Sequence, residues 1–374
     1  MSERDDLRDM VRGLLDERAS SEALRAAVAT PAGFDPALFA TVAELGLTGL
    51  LVPEERGGSG GEPADMAVVL HELGRRATPL PFLQSAVLAP TALLAAPGSV
   101  ADELLPAIVE GQVRVAVVLG GPQGAVGPQT WAVDWTDNGA GGGRIDGVVG
   151  EVMDLPSADE LIVVARSADG PVVAVLPFSA VRVESVTALD LTRRLGTATF
   201  DGAEVPADRV LARGPQAEQL VAVVLRAAAW GLACDAVGLA ERTMEQTAAY
   251  ARDRHQFGRP IGSFQAVKHA CATMSVTVEC GRAAVDTATR LLTAAVTREA
   301  DVATSTAKQF AGDGAVEVCG SAVQVHGGIG FTWEHDAHIW LKRALLDRAL
   351  FGSSAWHRRR VADAVLPVPA GVAG

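Results

Sequence analysis

The sequence predicts an α+β protein in three consecutive parts. These are an N-terminal α-helical domain over residues 1–112, a middle β-domain of sandwich or barrel type over 113–214, and a C-terminal helical bundle over 215–366, followed by a flexible tail at 367–374. Three observations carry this reading. Apolar residues recur at helical spacing in the first hundred residues, short β-branched runs fill the next hundred, and a long stretch without proline opens the last part.

In the first part Leu7, Met10, Val11, Leu14 and Leu15 mark one helix face, and Phe39, Val42, Leu45 and Leu47 continue the period. The stretch Val52 to Gly61 carries Pro53 and four glycines and interrupts it. Helical pattern resumes from Pro63 through Leu73, and Leu104 to Val109 closes the segment. In the second part Val115 to Leu119, Trp131 to Trp135, Leu161 to Val164 and Val172 to Leu176 read as strands, and Gly139 to Gly143 as a turn. In the third part Gln216 to Arg252 reads as one long helix. Ser263 is placed to cap a second helix starting at Phe264, and Asp301 to cap a third. The tail from Pro367 to Gly374 is small and proline-rich, hence loosely held.

Composition removes several classes of function. The formal charge is −13, whereas a nucleic-acid binder needs a basic stripe to neutralise phosphates. The one short basic cluster, Arg358 to Arg360, reads as a solvated helix end. The charged start, Met1 to Asp6, is unlike a signal peptide, and no run of about 18 uncharged apolar residues suggests a membrane span. Cys234, Cys271, Cys280 and Cys319 lack CxxC spacing and read as buried reduced thiols in helices of a cytoplasmic protein. The histidines show no metal-ligand pattern, and Trp333 and Trp340 read as helix-packing residues.

Two stretches carry more specific information. Arg254-His255-Gln256-Phe257-Gly258-Arg259-Pro260-Ile261-Gly262-Ser263-Phe264-Gln265 is followed about 70 residues later by Gln324-Val325-His326-Gly327-Gly328-Ile329-Gly330-Phe331. Together with Ala198 to Leu211 they resemble, in order and separation, signatures of the acyl-CoA dehydrogenases. The resemblance spans essentially the whole chain and implies a four-helix bundle as the C-terminal domain. It also implies flavin adenine dinucleotide (FAD), an acyl-CoA substrate and an electron acceptor such as electron-transfer flavoprotein. By the same resemblance Arg254, Phe257, Gln324, Gly327 and Gly328 would contact a flavin held mainly by a neighbouring subunit. The residue types suit that role, since a guanidinium offers a fork of donors to pyrophosphate and adjacent glycines let backbone N–H groups come close.

The resemblance fails where the chemistry needs a base. Such enzymes remove a weakly acidic α-proton while a hydride leaves the β-carbon for the flavin, and a positioned base is worth ~10²–10⁴ in rate. Most members carry a glutamate just before a glycine, about 24 residues beyond the glycine pair, where this chain has Phe351-Gly352. Some relatives place the base early on the long helix, which aligns with Ala228. Asp235 lies seven residues further along that helix face; it reads first as a partner of an arginine and is the candidate base that remains. The loop Leu119 to Gly127 also lacks the hydroxyl, glutamate and serine-aspartate of the family's flavin loop, and nothing near Glu151 to Asp154 matches its tryptophan-threonine contact.

A chain whose own flavin pocket is eroded, but whose contribution to a neighbour is kept, resembles the non-catalytic subunit of actinobacterial α₂β₂ acyl-CoA dehydrogenases with roles in sterol degradation. The stretch Phe351 to Arg358 is similar to the ending of those chains. The alternatives are a self-sufficient flavoenzyme using Asp235 and a flavin-free structural homologue.

Overall fold

The computed structural model describes residues 2–119, 126–127, 130–295 and 297–366. The tail at 367–374 and most of the Leu119 to Gly127 loop lie outside the described residues. The N-terminal part holds α1 (Glu3–Arg18), α2 (Ser21–Ala29), α3 (Pro36–Glu44), α4 (Pro63–Arg75), α5 (Ala89–Ala95) and α6 (Ser99–Val109), with a π-helical stretch at Leu83–Leu88 before α5. Helix α1 starts on a capping box in which Ser2 Oγ accepts from Asp5 N–H and the Asp5 carboxylate accepts from Ser2 N–H. The break after α3 is enforced at Gly58, where a Cβ would sit 2.0 Å from the Val52 carbonyl oxygen.

The middle part is a mixed sheet of eight strands: β1 (Val115–Val118), β2 (Val133–Asp137), β3 (Gly143–Met153), β4 (Glu160–Ser167), β5 (Gly170–Pro177), β6 (Arg182–Val186), β7 (Leu195–Val205) and β8 (Val210–Arg213). The path runs β6-β7-β3-β2-β4-β5-β8, and β1 joins β4 in parallel. The predicted glycine turn is the β2–β3 connection, with Gly139 and Gly141 at positive φ between the paired Asp137 and Gly143. Alternation gives the sheet two apolar faces. Val149, Phe200, Val163 and Ala174 form a core inside the rolled sheet, while Val117, Ile162 and Val175 pack against the helices.

The C-terminal part is a bundle of long helices: α7 (Gly214–Asp253), then a small hairpin of β9 (His255–Gln256) and β10 (Arg259–Pro260), α8 (Gln265–Thr293), α9 (Thr297–His326), α10 (Ala337–Ala349) and α11 (Ser354–Val365). Helix α7 is the central spine. Residues 228–240 are buried on every side, as an all-round apolar helix must be. It is the one helix among the described residues long and apolar enough to cross a membrane, and 78% of its most apolar window is buried inside the protein.

Helix α4 reaches α7 through reciprocal glycine contacts. A Cβ at Gly238 would lie 2.0 Å from the His71 carbonyl oxygen, and one at Gly74 would lie 2.2 Å from the Asp235 carbonyl oxygen. Both neighbours are backbone and cannot step aside. Gly238→Ala is therefore expected to cost about 1–3 kcal/mol of stability, read as a lower urea midpoint with unchanged slope.

Four expectations are corrected. Phe264, not Ser263, takes the extended N-cap backbone of α8; Ser263 ends a 3₁₀ turn, and its hydroxyl has no partner. Helix α9 begins four residues before Asp301, whose carboxylate accepts from Arg226 of α7 instead of capping. Trp340 is buried, but Trp333 is 59% exposed and does not pack helix on helix. The cysteines are free and lie in helices, yet only Cys234 and Cys319 are buried, with Cys271 half-buried and Cys280 exposed.

Candidate functional site

Helices α7 and α9 end side by side, where the Tyr250 ring stacks on His326 at 4.4 Å and His335 lies against His326 at 4.3 Å. This brings the two separated sequence motifs to one end of the bundle. Arg254 is the C-terminal cap of α7. Its N–H donates to the Tyr250 carbonyl, its side chain is exposed, and its guanidinium makes no ion pair among the described residues. The carbonyl ends of helices disfavour anions, so any phosphate held here depends on that guanidinium.

The β9–β10 hairpin turns through Phe257 and Gly258, both at positive φ (53° and 76°). That conformation suits Gly258 and strains a phenylalanine. Phe257 is nonetheless held 91% exposed, edge-on to Phe264, whose face carries the Arg259 guanidinium at 4.1 Å. Gln324 is exposed on the last turns of α9. Gly327 opens the following 3₁₀ turn at φ 64°, and a Cβ on Gly327 or Gly328 would meet nothing within 4 Å. Among the described residues neither glycine is needed to make room for a neighbour, and both are exposed. Phe331, 73% exposed, extends the apolar surface beside them. An exposed guanidinium, an exposed aromatic and glycine backbone that a ligand can approach closely suit a nucleotide pyrophosphate coming from outside.

The two positions where relatives carry a base are apolar here. Phe351 sits half-buried in the turn between α10 and α11 at φ 53°, packs against the main core, and accepts from His357 Nε2 through its carbonyl. Burial drives the His357 pKa down to about 3, so the ring stays neutral. Ala228 is fully buried on α7. Asp235 is committed to a guanidinium: Arg343 donates to its two oxygens at 2.8 and 3.3 Å, with Arg193 at 3.5 Å. Burial alone would raise its pKa, but Arg343 and Arg193 hold it below the usual carboxylate range.

Asp235 belongs to a buried network that single-sequence reading missed. Asp347 of α10 accepts from Arg193 and Arg343, Arg343 also donates to Thr192 Oγ1 (2.9 Å), and Thr192 donates to Asp190. Burial and the Asp235 charge push Asp347 up, opposite to its partner. Lys308 of α9 donates to the Asp347 carbonyl at 2.7 Å, with burial lowering its pKa to about 8. The network ties α7, α9 and α10 to the β6–β7 connection. The one local signal for it was Arg343 and Asp347, spaced i,i+4 on α10.

Asp154, the end of the segment without a flavin-contact match, is buried at φ 59° and its Oδ2 has no partner. Burial raises its pKa to about 7. The neighbouring Met153 carbonyl accepts from Gln84, and Asp154 N–H donates to the Arg194 carbonyl, so these backbone groups are used within the chain. The unfolded carboxyl titrates near 4 and the folded one near 7, so stability falls as pH rises through that window. Asp154→Asn is expected to stabilise the protein at pH 8, on the order of 2–4 kcal/mol, and hardly at pH 4, as read by urea denaturation at the two pH values.

A helical domain, a mixed sheet and a helical bundle, in that order, define an acyl-CoA dehydrogenase fold. Residues 1–112 match the acyl-CoA dehydrogenase N-terminal domain family and residues 220–366 the acyl-CoA dehydrogenase C-terminal domain family. The chain belongs to the acyl-CoA dehydrogenase family. It is 33% identical over 360 residues to the acyl-CoA dehydrogenase IpdE2 of Mycolicibacterium smegmatis, covering 96% of this chain and 97% of that one. It is also 34% identical to FadE34 of Mycobacterium tuberculosis, across 94% of this chain but only 46% of that one. Among solved structures it is similar to the ChsE4–ChsE5 complex of Mycobacterium tuberculosis (TM-score 0.89, 28% identity, 99% of both chains). It is likewise similar to a variant of the Tcur3481–Tcur3483 steroid acyl-CoA dehydrogenase (TM-score 0.88, 26% identity, 97% of both chains).

Proposed function

We propose that this chain is the non-catalytic subunit of a heteromeric, FAD-dependent acyl-CoA dehydrogenase acting on an acyl-CoA thioester, with sterol side chains as the substrate class. The observation that carries the reading is an asymmetry. Both base positions are apolar (Phe351, Ala228), while Arg254, Phe257, Gly327 and Gly328 stand exposed and unengaged at one end of the bundle. FAD, when bound, accepts the hydride from the substrate β-carbon. This chain's share would be positioning: Arg254 would pair with the pyrophosphate, the Gly327–Gly328 backbone would let the cofactor come close, and Phe257 and Gln324 would contact it. The α-proton goes to a carboxylate of a homologous partner, and electrons leave to an acceptor such as electron-transfer flavoprotein.

Two of the similar structures are named as two-component assemblies, and FadE34 carries about as much chain again beyond the matched part. The self-sufficient alternative is weakened at Asp235, whose proton-accepting oxygens are occupied by Arg343. The test is purification of the chain alone and co-expressed with a family member carrying the glutamate. Flavin absorbance and acyl-CoA oxidation are expected only in the co-expressed pair. Turnover by the chain alone contradicts the reading.

A further inference from the structure

Away from the flavin half-site, α1, α4, α7 and α8 enclose a cleft of about 850 Å³, within the range of small-molecule sites. Its floor is apolar and made of small residues, among them Ala67 and Val68 of α4, Cys234 and Val237 of α7, and Val285 of α8. Its walls are basic. Arg4, Arg8 and Arg12 recur every four residues along one face of α1, and Arg282 and Arg290 stand eight residues apart on α8, opposite. Three carboxylates, Glu62, Glu241 and Asp286, share the lining with these five arginines, and further carboxylates behind α1 and α4 answer three of them.

The arginines differ in how they are engaged. Arg4 bonds Asp65 and Glu62, Arg8 bonds Asp5, and Arg12 bonds Glu72. Arg282 reaches Glu241 with Nη2 at 3.0 Å, but its Nε is shielded from solvent and has no acceptor. Arg290 makes no ion pair among the described residues, although Asp286 lies one turn before it. An apolar trough with one unanswered guanidinium N–H and one unpaired arginine is short of an acceptor group at the α8 wall.

We infer that this cleft binds an amphipathic anion, with its apolar body on the α4–α7 floor and its anionic head between Arg282 and Arg290. A free carboxylate and an acyl-CoA thioester share that chemistry, and the two sources are separated by titrating palmitate, palmitoyl-CoA and coenzyme A alone.

The experiment is isothermal titration calorimetry on the full-length chain. Saturable 1:1 binding of palmitate is expected, at least tenfold tighter than of hexadecanol, which lacks the charge. Arg290→Gln, an exposed position, should weaken palmitate tenfold or more while leaving the melting temperature nearly unchanged. Ala67→Phe should abolish binding by filling the floor. Palmitoyl-CoA binding with the same sensitivity to both variants, and no heat from coenzyme A, identifies the thioester as the ligand. Palmitate binding alone identifies the free acid. Absence of saturable binding of both palmitate and palmitoyl-CoA, or binding unchanged in Arg290→Gln, overturns the inference; if Ala67→Phe does not fold, the Arg290 variant still decides.

Discussion

Arg254→Ala, made in the complex with a glutamate-bearing partner, is expected to lower FAD affinity by ~10- to 100-fold. Among the described residues the guanidinium has no carboxylate partner and the side chain is exposed, so its removal leaves no buried charge behind there. The loss is that of charge-assisted hydrogen bonds to a phosphate, about 1.5–3 kcal/mol. Arg254→Lys keeps the charge and loses the fork, so it should recover only part of the affinity. Flavin retained per complex after gel filtration, followed by its absorbance, is the readout, with circular dichroism confirming that the fold is intact. Unchanged retention would remove Arg254 from the cofactor site.

The largest stability effect is expected at Arg343. This buried guanidinium bonds Asp235, Asp347 and Thr192 at once. Arg343→Met fills similar volume but leaves two buried carboxylates, Asp235 and Asp347, to share the single guanidinium of Arg193. Breaking a buried pair by removing one partner costs about 3–5 kcal/mol. The urea midpoint should fall accordingly. The double variant Arg343→Met/Asp235→Leu should regain part of the loss, because one stranded charge is removed with its partner. A cost under about 1 kcal/mol for Arg343→Met would mean that the network contributes little to docking the β6–β7 connection on the bundle.

These two sites differ in how plainly the sequence announced them. The residues proposed as the half-site stand out in the sequence because they occur in two compact, unusual strings whose glycines and proline punctuate long helices. Only the structure shows that Gly327 and Gly328 have no neighbour to accommodate, which separates a surface kept open from a packing requirement. The three-part architecture was legible because the apolar period changes twice along the chain, and the changes come where β1 and α7 begin. The buried network was not legible. Asp235, Arg193 and Arg343 come from segments more than 40 residues apart, and a charged residue in an apolar run does not name its partner. Asp235 as a partner of an arginine was readable; which arginine was not.

Helix starts were the weakest local reading. Ser263 and Asp301 are residue types that favour caps, but the 3₁₀ turn ahead of α8 moves the cap to Phe264, and the ion pair with Arg226 draws Asp301 into the body of α9. In both cases a tertiary or turn contact outweighed a preference worth about 1 kcal/mol. Trp333 was misread for a related reason. Its spacing fits a helix face, but it falls in the bend before α10, outside any helix.

The central claim is that no side chain of this protein takes the substrate's α-proton. It is tested most directly by adding FAD to the isolated chain under anaerobic conditions, supplying an acyl-CoA that the heteromeric enzyme oxidises, and following the visible flavin band. The band is expected to keep its full intensity for the chain alone and to bleach once the glutamate-bearing partner is added. Bleaching with the isolated chain would contradict the claim and place a working base within these 374 residues.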